Sequence, residues 1–81
     1  MNFQDLQRRL IALLRDRIRS GQLSERGLAR LTGISQPHIH NVLKGKRSFS
    51  IEISDTILFF LKIDIQDLID PENLEGRKDP E

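Results

Sequence analysis

The chain has 81 residues, a net charge of +1 and no cysteine. A chain of this length builds one small hydrophobic core, and without cysteine it forms neither disulfide bonds nor Cys-containing zinc sites. No apolar run approaches the ~20 residues of a membrane span, and the N-terminus lacks the basic-then-apolar order of a signal peptide, so we expect a soluble, cytoplasmic protein.

Helical spacing dominates the first third of the chain. Apolar residues recur at three- and four-residue steps over residues 3–20, which predicts an amphipathic helix that stops at Gly21. Arginines occupy the other face of this helix, and we expect them to lie in solvent. Ser24 is a suitable N-cap for a second helix of about two turns, which ends at Thr32 and Gly33.

Three more helices are predicted in the rest of the chain. Ser35 caps a third helix at about residues 35–44, which ends before Gly45. Residues 46–49 read as a polar loop, and Ser50 caps a fourth helix that runs to about residue 61. Asp64 can start a short fifth helix through a capping pair with Asp67.

No segment has a β-strand period long enough to predict a sheet, so the expected fold class is all-α. The residues beyond position 69 offer almost nothing to bury. We therefore divide the chain into a domain at 1–69 and a polar tail or linker at 70–81, which we expect to be disordered.

The second and third predicted helices, joined by a short turn at Gly33, are typical of a helix-turn-helix. From Leu23 the chain reads Leu-Ser-x3-Leu-Ala-x3-Gly-Ile-Ser-Gln-x2-Ile-x2-Val-x2-Gly-Lys-Arg, and this order resembles the phage lambda repressor and Cro family of DNA-binding domains. With the first helix, the resemblance covers about residues 3–69. It implies a compact five-helix bundle that binds double-stranded DNA through its second and third helices, usually as a dimer on two-fold symmetric sites.

The chain departs from the family pattern at four places. Gly27 replaces the usual Glu of a capping box, which predicts a weaker start for the second helix. Glu25 stands where many relatives have a Gln that contacts phosphate, so that contact is in doubt. Ile18 and Leu43 replace an Arg and Glu pair, which predicts a packed apolar pair instead of an ion pair. Lys62 replaces a frequent Gly, so either its backbone is strained or the fourth helix ends differently.

The third helix has an apolar side and a polar side on a helical projection. The resemblance implies that the polar side enters the major groove of DNA. Amide side chains can bond adenine N6 and N7 together, and a proline offers apolar contact only. Without the family resemblance, we would interpret Gln36 and Asn41 as exposed polar residues with no partner. The predicted base-reading residues are Gln36, Pro37, His40 and Asn41.

Basic residues are concentrated in the first part of the chain. Residues 1–50 hold ten Lys or Arg against three acids, a net +7, whereas residues 51–81 hold three against nine, a net −6. A basic half can attract a polyanion, although uneven charge on a solvated surface is equally compatible with these counts. Lys44, Lys46 and Arg47 lie around the end of the third helix, where cations also stabilise the helix dipole without any DNA contact. In the family that the chain resembles, the loop after the third helix lies along the DNA backbone. The resemblance therefore implies phosphate contacts by Lys44, Lys46 and Arg47, with Arg26 as a further candidate on the other side of the groove.

The sequence gives little support for a metal site or for enzymatic activity. His38 and His40 are two residues apart, which places them about 200° apart on a helix, so they cannot bind one ion together. No nucleophile and base occur at a meaningful spacing, and there is no Gly-rich phosphate loop. We expect no catalytic residues, no cofactor, no metal and no small-molecule ligand.

Phe59 and Phe60 are adjacent, and one helix face cannot bury both. The core direction of the fourth helix leaves Phe59 pointing away from it, which makes Phe59 a candidate for a dimer interface.

The leading hypothesis is a homodimeric, sequence-specific transcription regulator that acts as a repressor. The alternative is an antitoxin-like helix-turn-helix module whose main partner is another protein.

Overall fold

A computed structural model describes residues 2–69 of the chain. It contains five α-helices and, within that range, no strand. The predicted all-α, five-helix fold is confirmed, and the predicted tail at 70–81 lies outside the described residues. The helices are α1 (Phe3–Arg19), α2 (Glu25–Thr32), α3 (Gln36–Leu43), α4 (Ile51–Leu61) and α5 (Ile65–Ile69).

Polar caps define where the first four helices begin. In each, the cap side chain accepts a hydrogen bond from the backbone N–H three residues later, which pairs one of the donors that a helix start leaves open. The three serine caps match the sequence prediction, and Asn2 before α1 adds a fourth. Asn2 forms a full capping box with Asp5, and the backbone N–H of Asn2 is the main cause that lowers the pKa of Asp5, followed by Arg8.

Left-handed backbone ends several of the helices. Gly33 has φ 79° at the end of α2, and Gly45 has φ 84° just after α3. Lys62 takes the same conformation after α4, with φ 57° and ψ 40°. Of the two outcomes expected for Lys62, the structure has the strained one, because a side chain in this region costs about 1–2 kcal/mol.

The core forms where the five helices meet, with further apolar side chains from the segments that connect them. Phe49 is 2% exposed and belongs to this core, so the expectation that residues 46–49 form a purely polar loop is wrong at that position. The buried apolar residues are Leu10, Leu14, Leu28, Ile39, Val42, Leu43, Phe49, Ile57, Ile63 and Leu68.

Two arginines of α1 donate hydrogen bonds to the C-terminal turns of other helices. The expectation that the arginines of α1 lie in solvent is therefore wrong for these two. Arg9 Nη1 donates to the carbonyl oxygen of Leu68 at 2.8 Å. Arg15 Nε donates to the carbonyl oxygen of Leu43 at 2.9 Å. Both carbonyls lie in the last turn of a helix, where no intrahelical N–H reaches them.

The Arg15 bond lies next to the predicted apolar pair. Leu43 is buried, and Ile18 is partly buried against the same core. Both positions therefore contribute to the core, and their direct coupling stays a prediction.

None of the helices within residues 2–69 has the length and apolar character that a membrane span needs.

Candidate nucleic-acid interface

Helices α2 and α3 pack against each other through their apolar sides. Leu28 on α2, and Ile39 and Val42 on α3, are fully buried. At the turn between the helices, the Gly33 N–H donates to the carbonyl oxygen of Ala29 at 2.8 Å. The apolar side of α3 is the one that the helical projection predicts, so its polar side faces outward.

The outward side of α3 gathers the four predicted base-reading residues. Gln36, Pro37 and His40 are exposed, and Asn41 is partly buried. Together with Glu25 of α2 they line one surface cavity of about 290 Å³. The structure thus brings these residues to one place, and their contact with DNA stays a prediction.

Glu25 contacts His40 across the gap between α2 and α3. His40 Nδ1 lies 3.3 Å from both carboxylate oxygens of Glu25. The side chains of His40 and Glu25 are 50% and 27% exposed. Sequence reasoning considered the two residues separately, since residues 15 positions apart meet only once the packing of α2 on α3 is known.

The end of α3 is held in a fixed geometry beside the cavity. Lys44 caps the helix, and the N–H of Lys46 donates to the carbonyl oxygen of Asn41 at 2.8 Å. This six-to-one bond, with Gly45 in the left-handed region, is the Schellman arrangement of a helix C-terminus. It fixes the direction in which the chain leaves α3 toward Arg47.

The predicted phosphate-binding cations are exposed and open to an anionic partner. Within residues 2–69, none of the four forms an ion pair, in contrast to Arg8 and Arg19, which pair with acids on their own helix. Unpaired surface cations are what neutralisation of phosphate requires. The four are Arg26, Lys44, Lys46 and Arg47.

A buried amide supports the loop that follows α3. Gln7 Nε2 donates to the Phe49 carbonyl oxygen at 3.0 Å, and the Phe49 N–H donates back to Gln7 Oε1. Sequence reasoning missed Gln7, although a signal exists: it lies on the apolar stripe of α1, four residues after Phe3 and three before Leu10. A polar residue on such a stripe is a candidate for a buried hydrogen bond.

His38, the other histidine of α3, has a different environment from His40. His38 packs edge-on against the Phe49 ring, with ring centroids 5.9 Å apart. His38 and His40 therefore have separate neighbours. In the part of the chain that the structure describes, no three His, Asp or Glu side chains come together as a metal site would need.

Phe59 lies outside the core, as its position on α4 predicts. It is 75% exposed, and Phe60 beside it is 42% exposed. Their rings meet edge to face with centroids 5.3 Å apart. The role of Phe59 in a dimer stays a prediction.

Comparison with known protein families agrees with this geometry. The family model of the Cro/C1-type HTH DNA-binding domain matches residues 1–73, a range that spans all five helices. No curated protein matches the chain, and no solved structure does.

Proposed function

Because the chain belongs to the Cro/C1-type HTH DNA-binding family, we propose that it is a sequence-specific regulator of transcription whose α3 reads the major groove of double-stranded DNA. The observation that carries this proposal is the outward face of α3. Gln36, Pro37, His40 and Asn41 share one cavity there, beside exposed cations that have no ion-pair partner within residues 2–69. An α-helix fits the major groove, where base edges are distinguishable.

The two sets of residues have different roles in this proposal. Gln36 and Asn41 carry amides that discriminate between bases. Lys46 and Arg47 neutralise phosphates, which every DNA sequence presents alike. Mutations in the two sets therefore reduce binding in different ways.

The test compares binding to a site selected from random DNA with binding to a scrambled site, at several salt concentrations. Gln36→Ala or Asn41→Ala should weaken binding to the selected site by about 1–3 kcal/mol and leave scrambled DNA nearly unchanged. Lys46→Ala or Arg47→Ala should weaken both sites alike and lower the salt slope by about one for each phosphate that is no longer neutralised.

Arg19→Ala is the matched control, because it removes one exposed cation from α1, where Arg19 pairs with Asp16. It should leave the salt slope nearly unchanged. If Gln36→Ala and Asn41→Ala weaken both DNA sites equally, α3 is not the reading helix.

The regulator is proposed to act as a repressor. A protein that occupies promoter DNA excludes other proteins from it, which is the simplest way for binding to reduce transcription. A reporter gene placed downstream of the selected site should lose expression when the protein is present, and recover it with Asn41→Ala. An increase in expression would assign the protein to activation instead.

The exposed phenylalanines support a homodimer. Phe59 and Phe60 form an apolar patch near the end of α4 that is open to solvent, and such patches are common at protein contacts. Phe59→Lys should leave a folded monomer that binds a two-half-site operator more weakly. Sedimentation that shows a monomeric parent at high concentration and on DNA would refute the homodimer.

The same phenylalanines favour a second candidate function, the antitoxin-like module whose main partner is another protein. Gel shifts on random DNA at low salt distinguish the two. If the parent protein binds no DNA in this assay, the regulator is excluded and the protein-interaction module is left.

A further inference from the structure

The contact between Glu25 and His40 determines how His40 can meet a base. An ionised carboxylate only accepts hydrogen bonds. A hydrogen bond to this carboxylate from His40 Nδ1, which lies 3.3 Å from both oxygens of Glu25, requires that Nδ1 carry the hydrogen. In the neutral ring, Nε2 is then an acceptor, and it lies on the other side of the ring from Glu25.

His40 remains accessible while it holds this contact. Half of its side chain is exposed, and it lines the same cavity as Gln36 and Asn41. Glu25 thus contacts one ring nitrogen of a side chain that also lines the cavity on the outward face of α3. Anchoring through the partner of one nitrogen is how proteins generally choose the tautomer of a histidine.

We propose that Glu25 is a positioning residue that sets His40 to read one base pair through Nε2. The proposal rests on the proposed function, in which α3 enters the major groove. There, only adenine N6 and cytosine N4 offer hydrogens to an acceptor. Neutral His40 therefore selects adenine or cytosine at its position and rejects guanine, which presents the acceptors N7 and O6.

Protonation reverses this preference. Both nitrogens of a charged imidazole are donors, so Nε2 then bonds the acceptors of guanine. Imidazole side chains in general change charge between about pH 5 and pH 8. The charge state of the ring therefore decides which base this position reads, with Glu25 as the partner of Nδ1 in either state.

The charged residues nearest to this pair in the sequence lie on the same two helices. Arg26 follows Glu25 on α2, and Lys44 lies one turn beyond His40 on α3. On the α1 side, the Arg15 guanidinium is bound to the Leu43 carbonyl oxygen. His38 on the same helix is the other imidazole of the chain, so the assignment of a pH-dependent preference to the Glu25 and His40 pair also requires a His38 variant.

The test uses the whole chain and the operator selected from random DNA, with each base pair of one half-site replaced in turn. Affinities are measured at about pH 8 and about pH 5.5, on either side of the value of about 6.5 that an unperturbed imidazole has. At one position, the preference for cytosine or adenine over guanine should fall by about tenfold or more as the pH falls. His40→Ala should remove the preference at that position at both pH values.

Glu25→Gln separates positioning from mere structural support. Its amide can donate or accept, so Nδ1 need no longer carry the hydrogen. Discrimination by the neutral ring should fall several-fold, whereas a charged ring, which carries hydrogens on both nitrogens, should discriminate as it does in the parent. Glu52→Gln makes the same chemical change on α4, outside the cavity, and His38→Gln removes the other histidine. Both controls should keep the pH-dependent preference.

Nitrogen NMR of the DNA-free protein provides an independent measurement, since ring nitrogen shifts report the tautomer directly. The parent should show the Nδ1–H form of neutral His40, and Glu25→Gln should show a mixture. The proposal is overturned if Nδ1 is unprotonated, if base preference is the same at both pH values, or if Glu25→Gln behaves as Glu52→Gln does. Failure to select any operator would instead refute the proposed function, and the NMR result would still stand.

Discussion

Replacing Gln7 by methionine should lower the free energy of unfolding by about 2–4 kcal/mol. Gln7 is 7% exposed, and its amide pairs both the N–H and the carbonyl oxygen of Phe49, which is itself 2% exposed. Each buried backbone group left without a partner costs about 1–3 kcal/mol. Methionine keeps the length of the side chain, so the loss comes from the hydrogen bonds and not from a cavity.

Urea unfolding followed by circular dichroism measures this loss. Gln4→Met is the matched control on an exposed position of α1, and it should change stability by less than about 0.5 kcal/mol. A loss below about 1 kcal/mol for Gln7→Met would refute the reasoning, because it would mean that water satisfies Phe49 equally well.

Gln7→Glu provides a test that pH can reverse. A protonated carboxyl group has one donor and one acceptor, like the amide, whereas a carboxylate cannot donate to the Phe49 carbonyl oxygen. Burial raises the pKa of the introduced carboxyl group. Its contribution to stability should therefore be present below its unfolded value of about 4.3 and be lost as the pH rises through the folded value. Gln4→Glu should show no such recovery in acid.

Two further predictions concern positions where the chain departs from its family. Lys62→Gly should raise the free energy of unfolding by about 1 kcal/mol, since glycine relieves the left-handed backbone at φ 57°; a decrease in thermal unfolding measurements would show that the lysine side chain makes a compensating contact. Leu43→Glu should destabilise by several kcal/mol, and Ile18→Arg added to it should restore a large part of the loss; a double-mutant cycle without coupling would show that the two positions do not touch.

Sequence reasoning was strongest where structure depends on neighbours in the chain. Ser24, Ser35 and Ser50 marked the helix starts because a cap acts on an N–H only three residues away. It failed at Phe49, a loop residue that is buried in the core and whose backbone bonds the side chain of Gln7, 42 residues earlier. No local period reports such a contact.

The candidate site shows the same division. Helical periodicity was enough to place Pro37, His40 and Asn41 on one face of α3, with Gln36 at its border. Periodicity could not show that Glu25 reaches that face, since this depends on how α2 crosses α3. Nor could it show that Arg15 holds the last carbonyl of α3, because an arginine on a polar helix face is usually solvated.

Under the proposed function, the length of α3 limits how much sequence one copy of the protein can distinguish. Its eight residues extend over about 12 Å, and bases on one strand are about 3.4 Å apart, so the helix lies along roughly four base pairs. Four fully discriminated positions define one sequence in about 256, whereas a genome offers about 10⁶–10⁹ competing sites. Occupancy of few genomic positions therefore requires a second reading helix on the same DNA, from another copy of the chain or from a partner, at a set distance along the duplex.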